Sequence, residues 1–215
     1  MSITLAIIIL TCLISFSAFN KEKLIDDLIF YPPAITYRKQ YYRFFTCGLI
    51  HADFIHLAFN MYGLYIFGTA VENMFLQIFN EKGKLLYLLM YVTALFFCLL
   101  PTYTKHKEDG NYQSLGASGA VSAVIFAFIF LDPLRKMGII FLPEQWMIPG
   151  FIFGLIYIVL SSYFDKRGQG NINHSAHIWG GIYGMAFLIL TGYLFSDFKV
   201  LQEFISKIQS WFGSF

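Results

Sequence analysis

The sequence predicts an all-α, polytopic membrane protein built as a bundle of six transmembrane helices. Of its 215 residues, 57% are hydrophobic and only 13% are charged, and the mean hydropathy is +0.60. Soluble domains carry about 25% charged residues. Apolar runs recur along the chain, and about 20 such residues cross the roughly 30 Å hydrocarbon layer. This composition excludes an ordinary soluble enzyme and favours a single membrane domain over residues 1–215.

Charge and cysteine content exclude further classes of protein. The formal net charge is +2 and no segment concentrates it, so a nucleic-acid partner is not expected. The three cysteines, Cys12, Cys47 and Cys98, are widely spaced and odd in number, which predicts neither a disulfide framework nor a zinc site. They are interpreted as small apolar fillers, and no cofactor is expected.

Six apolar runs separated by charged and turn-forming breaks are the predicted spans. They cover residues 3–19, 54–79, 85–103, 115–131, 146–164 and 175–195. The breaks between them are rich in glycine, proline, asparagine and charged residues, which mark turns. The first run lacks a basic leader and is longer than a usual signal-peptide core, so a retained first helix is predicted.

Two segments outside the spans also carry structural signals. The connection over residues 20–53 has no clear span, and loops of this length in compact folds are commonly functional. Its Pro32-Pro33 pair and many aromatic side chains predict a segment at the membrane interface. Residues 197–215 place apolar side chains at intervals of three and four, which predicts an amphipathic helix. This helix is expected to lie on the bilayer surface, with packing against the bundle as the alternative.

Polar residues at the starts of three spans are the strongest functional signal. Polar groups are costly in lipid, so those inside spans face the bundle interior and are candidate site residues. Spans two, four and six run in the same direction, which brings their first turns to one face of the membrane. His56, Ser118 and His177 lie in those three turns and are expected to converge. Asn60 shares a helical face with His56.

The chemistry of these residues points to nucleophilic catalysis. Gly119 and Ala123 on the fourth span, and Gly180 and Gly184 on the sixth, have the spacing that lets helix backbones approach closely. A histidine is the usual base that activates a serine, so Ser118 and His177 form a candidate pair. The candidate oxyanion donors are His56, Asn60 and the backbone N–H of Ser118. No acidic residue stands near His177 in sequence, which predicts a dyad rather than a triad.

These motifs resemble those of the rhomboid intramembrane serine proteases. The matching pieces are His51-x4-His56-x3-Asn60, Gly116-x-Ser118-Gly119 and Ala176-His177-x2-Gly180, and Tyr42-Arg43 stands where the family often has Trp-Arg. Three motifs in this order on alternate spans are specific, and the match covers essentially the whole chain.

The resemblance implies a site and an orientation. Ser118 is implied as nucleophile, His177 as general base and then acid, and His56 with Asn60 at the oxyanion. Arg43 and Glu72 are implied to tether the first loop, and His51 is interpreted as a loop anchor. The substrates implied are transmembrane proteins, admitted past the fifth span and the 165–173 loop.

The family orientation has the N-terminus inside and the site toward the outer face. Lysine and arginine count six inside and nine outside in that orientation, mildly favouring the reverse, but long loops translocate largely regardless of charge. Six spans without an added N-terminal helix resemble the simple bacterial form, which predicts a bacterial cytoplasmic membrane. The sequence does not indicate an oligomeric state.

One position departs from the family pattern. Many members carry an aromatic residue four positions after the nucleophile, packed against the catalytic histidine, and this chain has Ser122 there. Tyr183 and Trp179 are the candidates to replace that ring.

Two alternative functions are weighed against the protease. The first is a catalytically inactive relative that binds transmembrane helices, against which the intact Ser118 and His177 argue. The second is a metal site or small transporter built on four of the histidines, namely His51, His56, His174 and His177. It is disfavoured because the chain lacks a His-Glu-x-x-His signature and a carboxylate at matching depth.

Overall fold

A computed structural model describes residues 2–138, 143–167 and 173–214 of the chain. This described part is mostly helical, which confirms the predicted all-α class. Residues 168–172, in the loop implied to admit substrate, lie outside the described ranges.

The helices follow the predicted apolar runs closely. In chain order they are α1 (Ile3–Ala18), α2 (Glu22–Leu28), α3 (Pro32–Arg38), α4 (Arg43–Thr46), α5 (Phe54–Gly63), α6 (Thr69–Phe79), α7 (Gly83–Phe97), α8 (Leu100–His106), α9 (Ser118–Leu131), α10 (Gly150–Arg167), α11 (His174–Phe195) and α12 (Val200–Phe212). A π-helical turn at Leu64–Gly68 joins α5 to α6, so the predicted second span is one continuous helix.

Two stretches of the described chain are long and apolar enough to cross a membrane. They are Phe54–His106, of 53 residues, and His174–Phe195, of 22 residues, while Ile3–Ala18 and Ser118–Leu131 are shorter apolar helices. The longer stretch reverses at Asn80–Lys82, where Asn80 has a φ of 52° and α7 returns along α6. The count of six membrane crossings stays a prediction.

Two predicted helix starts are displaced. The fourth helix begins at Ser118 rather than at residue 115, because Gly116 has a φ of +113°, outside the helical region. The fifth begins at Gly150 rather than at residue 146. The residues before it form a short strand, β2 (Ile148–Pro149), antiparallel to β1 (Lys136–Met137).

Helix α9 occupies the centre of the bundle and is buried on nearly every side. Helix α11 packs against α9 so closely that the two backbones are in contact. A Cβ added at Gly180 would lie 2.0 Å from the carbonyl oxygen of Gly119, and one at Gly184 would lie 2.1 Å from that of Ala123. Only glycine permits this approach, so α9 and α11 are joined as the small-residue spacing predicted.

The first loop folds into the short helices α2 to α4, tied together by Arg43. The Arg43 guanidinium is buried and donates to the carbonyl oxygens of Asp26 at 2.7 Å and Ile29 at 2.8 Å, and to Oε1 of Gln40 at 2.6 Å. Five fixed donors suit arginine to this task.

Replacing Arg43 by alanine is expected to loosen the first loop. Hydrogen bonds to charged groups contribute about 1.5–3 kcal/mol each, and the two carbonyls would lose a donor. We expect the loop to be cut by a protease at least about 10-fold faster, since cleavage follows the open population. Arg38→Ala is the matched control, because Arg38 lies exposed on α3. Equal cleavage rates in the two variants would contradict the tether.

Glu72 serves a different segment from the one expected. Its carboxylate accepts hydrogen bonds from the start of α1: the Ser2 hydroxyl at 2.6 Å, the Ile3 N–H at 2.8 Å, and the Thr4 N–H and hydroxyl at 2.9 and 2.8 Å. A negative charge is favourable at a helix N-terminus, where N–H groups lack intrahelical acceptors. Glu72 therefore braces α1 against α6 rather than tethering the first loop.

The C-terminal helix α12 packs on the bundle, which is the alternative given for it, while its position on the bilayer surface stays a prediction. One side packs on the bundle, where the Phe204 ring stacks on Phe130 at 4.1 Å and Lys207 Nζ donates to the carbonyl of Leu131 at 2.7 Å. Leu201, Ile205 and Phe212 on α12 are exposed. The helix is amphipathic, as its spacing predicted.

Candidate active site

Capping side chains fix the first turns of two of the three helices that converge. Asp53 precedes α5, and its carboxylate accepts the His56 N–H at 2.7 Å. Asn173 precedes α11, and its Oδ1 accepts the Ala176 N–H at 3.0 Å and the Thr102 hydroxyl at 3.1 Å. Side-chain oxygens at this position satisfy free N–H groups of the first turn. The caps thereby set where His56 and His177 emerge.

Ser118 and His177 meet across the α9–α11 contact. Ser118 is the first residue of α9, and its Oγ lies 2.7 Å from Nε2 of His177 in the first turn of α11. Both side chains are half-buried. Within the described ranges no carboxylate is hydrogen-bonded to His177. The pair can share a proton, and in the part of the chain that the structure describes no acidic side chain orients the ring.

His51 connects α1 to the residue before Ser118. The Ala117 N–H donates to His51 Nε2 at 3.4 Å, so Nδ1 carries the proton and donates to Ser15 Oγ at 3.0 Å. The Ser15 hydroxyl in turn donates to the carbonyl of Leu49 at 2.9 Å. Burial, with a smaller contribution from His56, lowers the pKa of His51 to about 3. The ring is therefore neutral, as this arrangement requires.

The first loop holds the segment that leads into Ser118, a contact that sequence reasoning missed. The carbonyl of Cys47 accepts the Gly116 N–H at 2.9 Å. Phe30 and Ser114 exchange two backbone hydrogen bonds, of 3.0 and 3.1 Å. No side-chain motif marks these bonds, because all three use the backbone.

His56 lies directly against the bend at Gly116. A Cβ added to Gly116 would lie 2.7 Å from Cε1 and 2.9 Å from Nε2 of His56, so this ring and that backbone are in close contact two residues before Ser118. Asn60 is buried one turn further along α5, and its Nδ2 donates to the carbonyl of His56 at 3.0 Å. Both predicted oxyanion residues thus lie on the helix face turned toward α9.

Comparison with known proteins identifies the family. The family model described as the rhomboid domain matches residues 38–194, which include α5 to α10, α11 up to residue 194 and every residue of the three motifs. The chain belongs to the rhomboid family.

Individual relatives show the same membership at moderate identity. The putative rhomboid protease YdcA of Bacillus subtilis is 31% identical over 141 residues, 66% of this chain and 62% of that protein. The rhomboid protease GlpG of Enterobacter is 30% identical over 158 residues, 73% of this chain and 50% of that protein. The mitochondrial RHOMBOID-like protein 12 of Arabidopsis thaliana is 30% identical over 151 residues, 63% of this chain and 42% of that protein. The match spans about half the length of these relatives.

The aromatic residue beside His177 in this rhomboid is neither of the two expected ones. Tyr183 instead stacks on Phe97 with centroids 4.8 Å apart, and Trp179 is 46% exposed. Tyr157 of α10 lies beside His177, with centroids 6.2 Å apart and ring planes 26° apart. The sequence feature that could have indicated this contact is Tyr157 itself. A phenol in the middle of an apolar helix must face the bundle to find a hydrogen-bond partner.

A cavity opens beside Ser118. Small side chains form much of its wall, namely Cys47, Cys98, Ser114, Gly116, Gly119 and Ala176, with Leu95, Leu99, Leu115, Ala120 and Asn173 completing the lining. The described residues contain no group of three His, Cys, Asp or Glu side chains placed to hold a metal ion. The cavity lies against Ser118 and is of a size for a small group only.

Proposed function

We propose that this rhomboid is an intramembrane serine endopeptidase that hydrolyses peptide bonds in or near transmembrane segments of other membrane proteins. The observation that supports it most is the 2.7 Å separation between Ser118 Oγ and His177 Nε2. These atoms come from residues 59 apart in sequence, at the first turns of two helices held at backbone distance. A nucleophile within hydrogen-bond reach of its base is the signature of an activated serine.

In the proposed mechanism His177 acts first as base and then as acid. The Ser118 hydroxyl donates to Nε2, which takes the proton as Oγ attacks the scissile carbonyl carbon. The protonated ring then gives that proton to the leaving amine, which departs and leaves an ester on Ser118. Water, deprotonated by His177, then attacks the ester carbonyl carbon. The bond from that carbon to Ser118 Oγ breaks, His177 returns its proton to Oγ, and the acid product leaves.

The oxyanion of this reaction would form between α5 and the start of α9. The Ser118 N–H has no intrahelical acceptor, because it belongs to the first turn of α9. His56, which lies against Gly116, and Asn60 one turn away are the proposed side-chain donors. Donors aimed at developing charge in a site with little water are worth more than in bulk water.

The proposed setting is one membrane domain of six spans, with the N-terminus inside and the site toward the outer face. The position of Ser118 and His177 in first turns supports a cleavage site near one membrane surface. The small-walled cavity beside Ser118 supports a small substrate side chain there. Similarity to two bacterial relatives supports a bacterial cytoplasmic membrane, with the mitochondrial relative indicating the alternative. His51, Arg43, Glu72 and the glycines at 116, 119, 180 and 184 have structural roles in this proposal.

Covalent labelling with a fluorophosphonate tests the proposal directly. The probe phosphonylates an activated serine, so we expect the detergent-solubilised wild type to be labelled and Ser118→Ala to remain unlabelled. Ser17→Ala is the matched control, because Ser17 is exposed on α1 and its hydroxyl donates to the carbonyl of Leu13 within its own helix. A folded wild type that takes no label would instead support the inactive helix-binding alternative.

A further inference from the structure

The ring of His177 needs an orienting contact beyond its bond to Ser118. One nitrogen, Nε2, faces the Ser118 hydroxyl, and no carboxylate in the described chain binds the ring. A ring held at a single atom can rotate, and a misplacement of about 1 Å can slow a reaction about 100-fold. The contact that restricts this rotation must come from the side chains packed around it.

Tyr157 supplies a flat wall for that ring. The two ring planes are 26° apart and the centroids are separated by 6.2 Å, within the range of offset-stacked pairs. Tyr157 projects from α10 on the same face as Gly154 and Ser161, which are the buried positions on either side of it. A Cβ on Gly154 would lie 3.2 Å from Ile129 of α9, so α10 sits close to the bundle here.

Helix α9 in turn fixes Tyr157. The Tyr157 hydroxyl lies 2.9 Å from Oγ of Ser122, and the ring packs edge-on to Phe126, with centroids 5.6 Å apart. Ser118, Ser122 and Phe126 follow one another at intervals of four, so they share one face of α9. Helix α9, which carries Ser118, therefore also holds the Tyr157 ring beside His177.

We propose that Tyr157 is a positioning residue for His177 and that Ser122 holds Tyr157 in place by the hydrogen bond between their hydroxyls. The inference rests on the proposed protease function. The proposal assigns a role to Ser122. Many family members have an aromatic side chain at this position, and here its hydroxyl anchors an aromatic ring from another helix. The orientation of the base thereby depends on where α10 lies relative to α9.

The test separates the ring from its hydroxyl. The measurements are the rate of fluorophosphonate labelling of Ser118 and the kcat and KM for a transmembrane peptide. We expect Tyr157→Leu to slow labelling and kcat about 10–100-fold with KM unchanged. Tyr157→Phe keeps the ring and is expected to recover most of that loss, remaining about 2–10-fold slow.

A double-mutant cycle tests the anchor. Ser122→Ala is expected to match Tyr157→Phe, and the double variant to be no slower than either single variant, because both remove the same hydrogen bond. Tyr163→Leu is the control on the same helix, since Tyr163 is 47% exposed, and wild-type rates are expected for it.

The results that would contradict the positioning role of Tyr157 differ from those that would contradict the protease function. If the wild type is labelled and Ser118→Ala is not, but Tyr157→Leu reacts at the wild-type rate or changes only KM, the positioning role is overturned alone. If the wild type is not labelled, the protease function itself fails. Should Tyr157→Leu not fold, the Tyr157→Phe and Ser122→Ala cycle decides, and additive or absent effects overturn the anchor.

Discussion

Alanine at either Ser118 or His177 is expected to reduce cleavage of a transmembrane substrate by about 10⁴–10⁶-fold. Ser118→Ala removes the atom that would form the acyl-enzyme, and His177→Ala removes the group that would accept its proton. Because the two act as one unit, Ser118→Ala with His177→Ala should be no slower than either single variant. The measurement is the rate of product formation from a reconstituted transmembrane substrate, with KM determined in parallel.

His106→Ala is the control for loss of a histidine. His106 is the last residue of α8. Its ring stacks on Tyr112 with centroids 3.8 Å apart, and its Nδ1 lies 3.1 Å from Asp109 Oδ2. Wild-type cleavage is expected for it. Near-wild-type turnover in either Ser118→Ala or His177→Ala would rule out the dyad, because within the described residues each of these side chains is hydrogen-bonded to no side chain except the other.

Alanine at Gly184 is expected to destabilise the fold by about 3 kcal/mol, the upper part of the range for overpacked cores. The added Cβ would lie 2.1 Å from the carbonyl oxygen of Ala123, and a backbone atom of a central helix cannot give way as a side-chain end can. Helices α9 and α11 would have to separate, which also lengthens the distance between Ser118 and His177. Unfolding in mixed detergent measures the first effect, and fluorophosphonate labelling of the folded fraction measures the second.

Gly63→Ala is the matched control for that change. It lies at the end of α5, where an added Cβ would meet only Val121 Cγ1 at an ordinary 3.5 Å. Alanine has the higher helix propensity by about 1 kcal/mol, so this variant should be as stable as the wild type or more so. If Gly184→Ala unfolded at the same detergent composition as Gly63→Ala, the backbone contact would not be what joins α9 to α11.

Local pattern was enough to locate the helices and the candidate pair. Apolar runs between polar breaks gave the positions of α1, α9 and α11 to within a few residues, because a helix in lipid must satisfy its own backbone and end where polarity returns. Ser118 and His177 were predicted to meet because polar groups in spans turn inward and alternate spans begin at the same face.

Helix boundaries were less predictable where the backbone departs from helical geometry. The bend at Gly116, with its φ of +113°, places Ser118 at the start of α9. The strand pairing ahead of Gly150 delays α10 in a similar way. Apolar composition continues through both regions, so composition alone extended the helices too far.

The sequence by itself determined the membrane class, the helical segments and the residue types of the candidate site. The tertiary structure decided which partners those residues have: Tyr157 rather than Tyr183 beside His177, the start of α1 for Glu72, and the Cys47 carbonyl for the Gly116 N–H. The physical reason is that periodicity fixes the face on which a side chain lies. Partners 35 to 70 residues away, such as Tyr157 for Ser122 and Ser2 for Glu72, depend on how whole helices pack.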